Sequence, residues 1–103
     1  MAQPKYKRVL LKISGEALAG EASRGLDFKV IESVCEVIKR CAAEGVQVGV
    51  VVGGGNFWRG VKDGGDAMER VRADHMGMLA TAINALAVAD VLEQKGVEVR
   101  VQT

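Results

Sequence analysis

Three short stretches of this sequence combine residue types that hold anionic groups. The first is Lys12-Ile13-Ser14-Gly15. A lysine that closes a buried apolar run carries its ammonium to the end of that run. Ser14 and Gly15 add backbone N–H groups and room for an anion to come close. Taken alone, the same residues also describe a lysine reaching to solvent beside a plain turn. The second stretch is Gly53-Gly54-Gly55-Asn56, with Arg59 shortly after it. Three successive glycines lose extra backbone entropy on folding, which asks for a compensating use. Two uses fit: room for positive φ, and backbone donors that line an anion. A guanidinium at Arg59 would add a charge-assisted bond to phosphate. The plain alternative is a flexible turn into a surface loop.

The third stretch is Asp74-His75-Met76-Gly77. Asp74 suits a helix N-cap, worth about 0.5–2 kcal/mol. It also suits an acceptor for ribose hydroxyls, and the two roles use separate lone pairs. Gly77 near a helix start costs about 1 kcal/mol relative to alanine and invites a close contact. His75 has no acid–base partner visible in the sequence. Neither GxGxxG nor GxxxxGK(S/T) spacing occurs, so the dinucleotide and P-loop readings lack their defining pattern.

These stretches need elements to hold them. Arg8 to Ile13 is short, apolar and β-branched and reads as a buried strand, with Lys12 a charged interruption near its end. A small-residue loop follows, with Gly20 and Gly25 as turn points. Asp27 caps a helix to about Glu44, whose buried face is read as Val30, Val34, Val37, Ile38 and Cys41. Lys39 and Arg40 suit its C-terminal dipole, and Gly45 suits its end. Gln47 to Val52 is a second apolar strand, and the glycine stretch follows at once. Arg59 to Asp66 reads as a loop, and Ala67 to Ala73 as a short helical piece. Asp74 then caps a longer helix to about Lys95. Its apolar stripe is read as Met76, Leu79, Ile83, Leu86 or Ala87, and Val91. Ala80, Ala82, Ala85, Ala87 and Ala89 make this helix thin, which suits close packing on the sheet or on a second subunit. Gly96 ends it, and Val97 to Val101 reads as a third strand. Glu44–Val48 and Lys95–Val99 echo each other as the same helix-to-strand junction, not as a repeat.

The order is strand, helix, strand, helix, strand. That predicts an α/β fold: a parallel sheet covered on both faces, three layers deep, with right-handed crossovers. Ligands bind such sheets beyond the carboxyl ends of the strands, here after Ile13 and Val52. The chain has 103 residues, about half of them apolar, a quarter charged, and a net charge of +1. This is the composition of one soluble domain. It lacks the basic excess and the aromatic surfaces of a nucleic-acid binder. Cys35 and Cys41 point to different faces of one helix, so they read as small apolar residues in a reduced, cytoplasmic protein. With one histidine and no Cys/His cluster, no protein-held metal is expected. No signal peptide or membrane span is visible.

Lys12 to Leu18 (KISGEAL), Val52 to Gly60 (VGGGNFWRG) and Ala73 to Thr81 (ADHMGMLAT) together resemble the bacterial uridylate (UMP) kinases of the amino-acid kinase family. The resemblance runs through essentially the whole chain. The first two motifs also occur, more loosely, in acetylglutamate, aspartate and carbamate kinases. The third is more particular and carries the substrate assignment. The resemblance implies that Lys12, Ile13, Ser14 and Gly15 form the ATP-phosphate loop, with Lys12 the catalytic cation. It implies that Gly55 and Arg59 contact ATP, and that Gly54 and Asp74 contact UMP. Gly20, Glu21, Ala22, Ser23, Arg24 and Gly25 match a region tied to allosteric activation by GTP. The implied cofactor is ATP with Mg²⁺. The implied assembly is a homohexamer of dimers, with the helix after Asp74 in the dimer contact. Asn56-Phe57-Trp58-Arg59 stands where the family has Asn-Leu-Phe-Arg, which keeps Arg59 in register.

The family's chains are more than twice this length. Their second UMP segment, adenine pocket and a further catalytic aspartate fall beyond Thr103. Residues 1–103 are therefore expected to be the N-terminal part of a single domain, incomplete and inactive alone. The alternatives are a non-catalytic anion-binding or assembly module, or another amino-acid kinase with a carboxylate or carbamate acceptor.

Overall fold

The two apolar runs form β1 (Arg8–Ile13) and β2 (Gln47–Val52), as their composition predicts. The computed structural model describes residues 5–22, 24–58 and 65–102, the side chain of Asp66 excepted. The strands pair in parallel, with Arg8 opposite Gln47 and Ile13 opposite Val52. They therefore end level. Just past the last pair, the Gly53 N–H donates to the Ile13 carbonyl at 3.0 Å.

Burial alternates along both strands. Leu11, Ile13, Val48, Val50 and Val52 turn to the core, while Leu10, Lys12 and Val51 face outward and are exposed. Among the described residues the helices thus cover one face of the sheet, not both. Alternation is the mark of a half-covered sheet.

Ser14 ends β1 by capping a short helix, α1 (Gly15–Ala19), its hydroxyl accepting from the Ala17 N–H at 3.1 Å. This helix replaces the loop expected here. Leu18 and Ala19 bury on the core side, which gives a stretch of small residues a reason to coil. A 3-10 turn (Gly20–Ala22) follows. Asp27 caps α2 (Phe28–Ala43) as predicted, accepting from the Lys29 N–H at 3.0 Å. Gly45, at φ 87°, releases the chain into β2. The buried face of α2 is Ile31, Cys35 and Ile38, with Val34 packed against it. Val37, predicted inside, is exposed, because the true stripe is rotated toward Ile31 and Cys35. Cys35 is buried and Cys41 half-buried; both are free thiols.

After a second 3-10 turn (Gly65–Ala67), one continuous helix, α3 (Arg70–Gln94), replaces the predicted short piece and capped helix. Its N-cap is Glu69, with no side-chain cap bond. Asp74 lies inside the helix and is not its cap. The buried side of α3 is Ala73, Ala80, Asn84, Val88, Ala89, Val91 and Leu92. Of the stripe read from spacing, Val91 is buried as expected, but Met76, Leu79, Ile83 and Leu86 face solvent at 39%, 68%, 48% and 62% exposure. Ala80 faces inward because α3 passes close to Gly54, where a large side chain has no room, while Val88, Val91 and Leu92 pack with α2 further along the helix. By length and composition α3 would also suffice to cross a bilayer. Here its C-terminal half packs with α2 and both strands into one core around Ile31, Cys35, Val52, Val88 and Leu92.

Val97 to Val101, the expected third strand, forms no ladder, so the sheet has two strands among the described residues. The alternation is present: Val97 and Val99 pack toward the core while Glu98 and Arg100 face out. A cleft of about 600 Å³ between this segment and β2 takes the place of the pairing.

Candidate functional site

Because β1 and β2 end level, the two glycine-bearing loops lie side by side at one carboxyl edge. Their contact is close. A Cβ placed on Gly15 would meet Asn56 Oδ1 at 2.6 Å, the Gly55 nitrogen at 2.7 Å and the Gly53 oxygen at 2.9 Å. A Cβ on Gly54 would meet the Thr81 nitrogen at 2.8 Å and Ala80 Cβ at 2.9 Å. Neither Gly53 nor Gly54 has a positive φ. Of the two uses read for these glycines, room for positive φ is not the one realised here. Gly54 is required for close approach to α3, and Gly15 for close approach to the glycine loop. Among the described residues, the N–H groups of Gly54 and Gly55 donate to no acceptor. Unpaired N–H groups beside the start of a strand-to-helix turn are the donors an anion needs.

Lys12 stands one residue before the end of β1, opposite Val51, with its side chain exposed. Ile13 is buried beneath the edge. The Ser14 hydroxyl accepts the Ala17 N–H in the α1 cap. Phe57 and Trp58 N–H groups turn back to the Gly54 carbonyl at 3.0 and 3.1 Å and close the loop. The Trp58 indole N–H then donates to the Ala73 carbonyl at 2.8 Å, tying the loop to the first turns of α3. Asp74 follows directly. Its exposed carboxylate accepts from Arg70 Nε at 3.1 and 3.2 Å. His75 is exposed. A Cβ placed on Gly77 would lie 3.9 Å from Trp58 Cδ1, an ordinary contact, so no close neighbour within the described residues explains this glycine. Arg59, Ser23 and Gly60 lie outside the described residues.

The segment from Gly20 to Gly25 joins the same edge. Gly20 and Gly25 are left-handed, at φ 63° and 72°. Gly25 is held by Asn56 at both ends: its N–H donates to the Asn56 carbonyl at 3.1 Å, and its carbonyl accepts from Asn56 Nδ2 at 2.7 Å. Glu21, Ala22 and Arg24 are exposed.

Asn84, a polar residue that sequence reasoning passed over, reaches this edge from α3. Its Nδ2 donates to the Gly53 carbonyl at 2.6 Å and to Asn56 Oδ1 at 2.7 Å, and its Oδ1 accepts from Asn56 Nδ2 at 3.1 Å. Both side chains are essentially inaccessible: Asn56 is 1% exposed and Asn84 0%. One signal was available: a lone asparagine in the apolar run Ile83-Asn84-Ala85-Leu86 is a poor surface choice and a poor core choice unless it is bonded.

The two glycine loops, the strand-end lysine and the start of α3 thus meet at one edge of a parallel α/β sheet. The chain belongs to the amino acid kinase family, whose profile matches residues 7–102. It is 52% identical, over all 103 of its residues, to uridylate kinases from two strains of Streptococcus thermophilus, ATCC BAA-491 / LMD-9 and ATCC BAA-250 / LMG 18311. It spans 42% of the length of each of these relatives. Two solved structures share its fold. UMP kinase from Bacillus anthracis superposes with a TM-score of 0.79 at 40% identity, covering 87% of this chain and 37% of that one. UMP kinase from Ureaplasma parvum gives 0.80 at 38%, covering 91% and 41%. The α/β parallel-sheet fold expected from the sequence is thus the fold of this family.

Proposed function

We propose that residues 1–103 are the N-terminal, phosphate-binding part of a single kinase domain that transfers the γ-phosphoryl of ATP to UMP, giving UDP. The observation that carries this reading is the contact of Gly15 with Gly53–Asn56 at one carboxyl edge, with unpaired amides beside it. The uridylate kinase relatives supply the acceptor.

In-line phosphoryl transfer asks the protein for position and positive charge, with little covalent work. In this reading Lys12 neutralises the transferring group. The amides of Gly15 and Gly55 hold ATP phosphates, Gly54 meets the UMP phosphate, and Arg59 closes over them. Asp74 holds the UMP ribose, at the helix turn that Trp58 ties to the loop. No general base is required, since the UMP phosphate is already an anion. An edge of backbone donors fits a triphosphate. Mg²⁺ carried by ATP would supply further positive charge to the triphosphate.

Three further assignments belong to this reading. The outward stripe Met76, Leu79, Ile83 and Leu86 is the surface by which α3 meets a second copy, as in a hexamer of dimers. The Gly20–Gly25 segment is the GTP-responsive region, and its bonds to Asn56 give it contact with the phosphate edge. A cytoplasmic location accords with the two free thiols.

The test is nuclear magnetic resonance titration of the ¹⁵N-labelled chain with Mg-ATP and with UMP, following the amides of Gly15, Gly54 and Gly55. ADP release is measured alongside, with UMP, CMP, AMP and N-acetylglutamate as acceptors. Saturable shifts with ATP and UMP, without turnover, are expected. Turnover with UMP would keep the substrate and overturn the incomplete site. Response to N-acetylglutamate in place of UMP would move the assignment to another kinase of the family. No response to ATP would refute the proposal.

A further inference from the structure

The glycine loop is held from behind by two side chains that no motif names. Asn56 and Asn84 face each other in a closed amide pair, each donating to the other's oxygen at 3.1 and 2.7 Å. Each has one N–H left, and each places it on a backbone carbonyl: Asn84 on Gly53, Asn56 on Gly25. These two carbonyls accept only, so they fix which end of each amide is nitrogen. All four amide hydrogens are used, and among the described residues no buried side-chain polar atom lacks a partner.

The pair spans four pieces of chain. Asn84 belongs to α3, Asn56 to the glycine loop, and Gly25 to the segment before α2. Gly15 belongs to α1, and the place its Cβ would take lies 2.6 Å from Asn56 Oδ1. A buried polar network of this kind is expensive unless complete and defines one arrangement when it is. An apolar pair would fill the same volume but could not aim Gly53 and Gly25.

We infer that Asn56 and Asn84 are positioning residues. They hold the glycine loop in register with Ser14–Gly15, and they make the Gly25 segment, the glycine loop and α3 open and close as one unit. The inference deepens the phosphate-binding reading above and rests on it for the identity of the ligand. Its chemical consequence is specific. Loss of Asn84, which touches neither Gly25 nor Gly55 in the bonds described, frees the Gly25 N–H and loosens the phosphate edge.

The test is hydrogen exchange and Mg-ATP titration of the chain and of Asn84→Ala, Asn56→Ala and the double variant. Each is compared at a temperature where the α2 and α3 amides keep their parental protection. Asn84→Ala is expected to speed exchange of the Gly25 N–H by at least about tenfold and to weaken Mg-ATP by about tenfold. The double variant is expected to be no worse than Asn56→Ala alone, because members of one unit are not additive. Parental Gly25 exchange in a folded Asn84→Ala, or losses that add independently, would overturn the inference. Should the variants not fold, the parent decides the matter. Gly25 N–H and the Asn56 and Asn84 side-chain N–H groups must then show one common opening equilibrium, and unequal values overturn it. The two readings fail separately. A parent that does not bind Mg-ATP sinks the kinase assignment and the phosphate half of this inference, while the exchange data alone decide whether the three segments form one unit.

Discussion

Replacing a glycine with alanine should have opposite consequences at two positions of this chain. At Gly54 the added methyl would sit 2.8 Å from the Thr81 nitrogen, 2.9 Å from Ala80 Cβ and 3.1 Å from the Ala80 carbonyl carbon. These atoms belong to the backbone and the shortest side chain of a 25-residue helix, so none swings aside. Carbon atoms at optimal contact sit about 3.5–4.0 Å apart, so loop and helix must separate by several tenths of an ångström or more. Overpacking of this kind costs about 1–3 kcal/mol. In a domain of this size each kcal/mol moves the Tm by about 4–8 °C, giving a fall of roughly 4–24 °C for Gly54→Ala. At Gly77 the atom nearest an added methyl is Trp58 Cδ1 at 3.9 Å, an ordinary contact. Helix propensity then acts alone and favours Gly77→Ala by about 0.8–1.0 kcal/mol, a rise of roughly 3–8 °C. Thermal and urea unfolding followed by far-ultraviolet circular dichroism measures both. Equal stability of Gly54→Ala and the parent would refute the close-packing account of the glycine loop. A destabilised Gly77→Ala would show that the helix needs that glycine for folding, not for a ligand.

In the catalytically competent protein that carries this segment, Lys12→Ala should lower kcat about 10²–10³-fold, as loss of other charge-stabilising donors does; unchanged turnover removes Lys12 from the chemistry. Asp74→Asn should raise the KM for UMP with little change in kcat. Because Asp74 caps nothing and its pair with Arg70 is exposed, the same variant should alter stability by less than about 0.5 kcal/mol, and a large fall in Tm would contradict this placement. The Lys95 ammonium donates to the Glu36 carboxylate at 3.1 Å. That bond holds Glu36 below the usual carboxylate range and lifts Lys95 above the usual lysine range. The lowered Glu36 contributes stability above its unfolded pKa and loses it as pH falls through the folded one. The raised Lys95 contributes below its unfolded pKa and loses it as pH rises through its folded one. Glu36→Gln should therefore lower the Tm near neutrality, with the difference closing in acid; a difference constant down to about pH 3 would refute the pairing.

Much of the scaffold was legible because its signals are local. The bounds of β1 and β2 follow from β-branched runs, and the start of α2 follows from Asp27. That the loops after Ile13 and Val52 share one carboxyl edge was readable from the sequence; the level register that brings Gly15 against Gly53–Asn56 was not. Caps, turns and strand propensity act over a few residues, and sequence spacing records them directly.

What sequence spacing could not decide was which surfaces meet. Apolar residues lie nearly all round α3, so periodicity selects no face. Next to the glycine loop the choice fell to Ala80 because Gly54 approaches too closely for leucine, and Leu79 and Leu86 lie outside. The same close approach explains Gly54 without any positive φ. Asn84 lies 28 residues from Asn56 in sequence, and only packing brings the two amides together. The sequence by itself determined β1, β2 and α2 and the carboxyl edge that the two strands share. The tertiary structure decided how that edge is held, because close contact between distant segments depends on the shapes of both partners and on the room left between them.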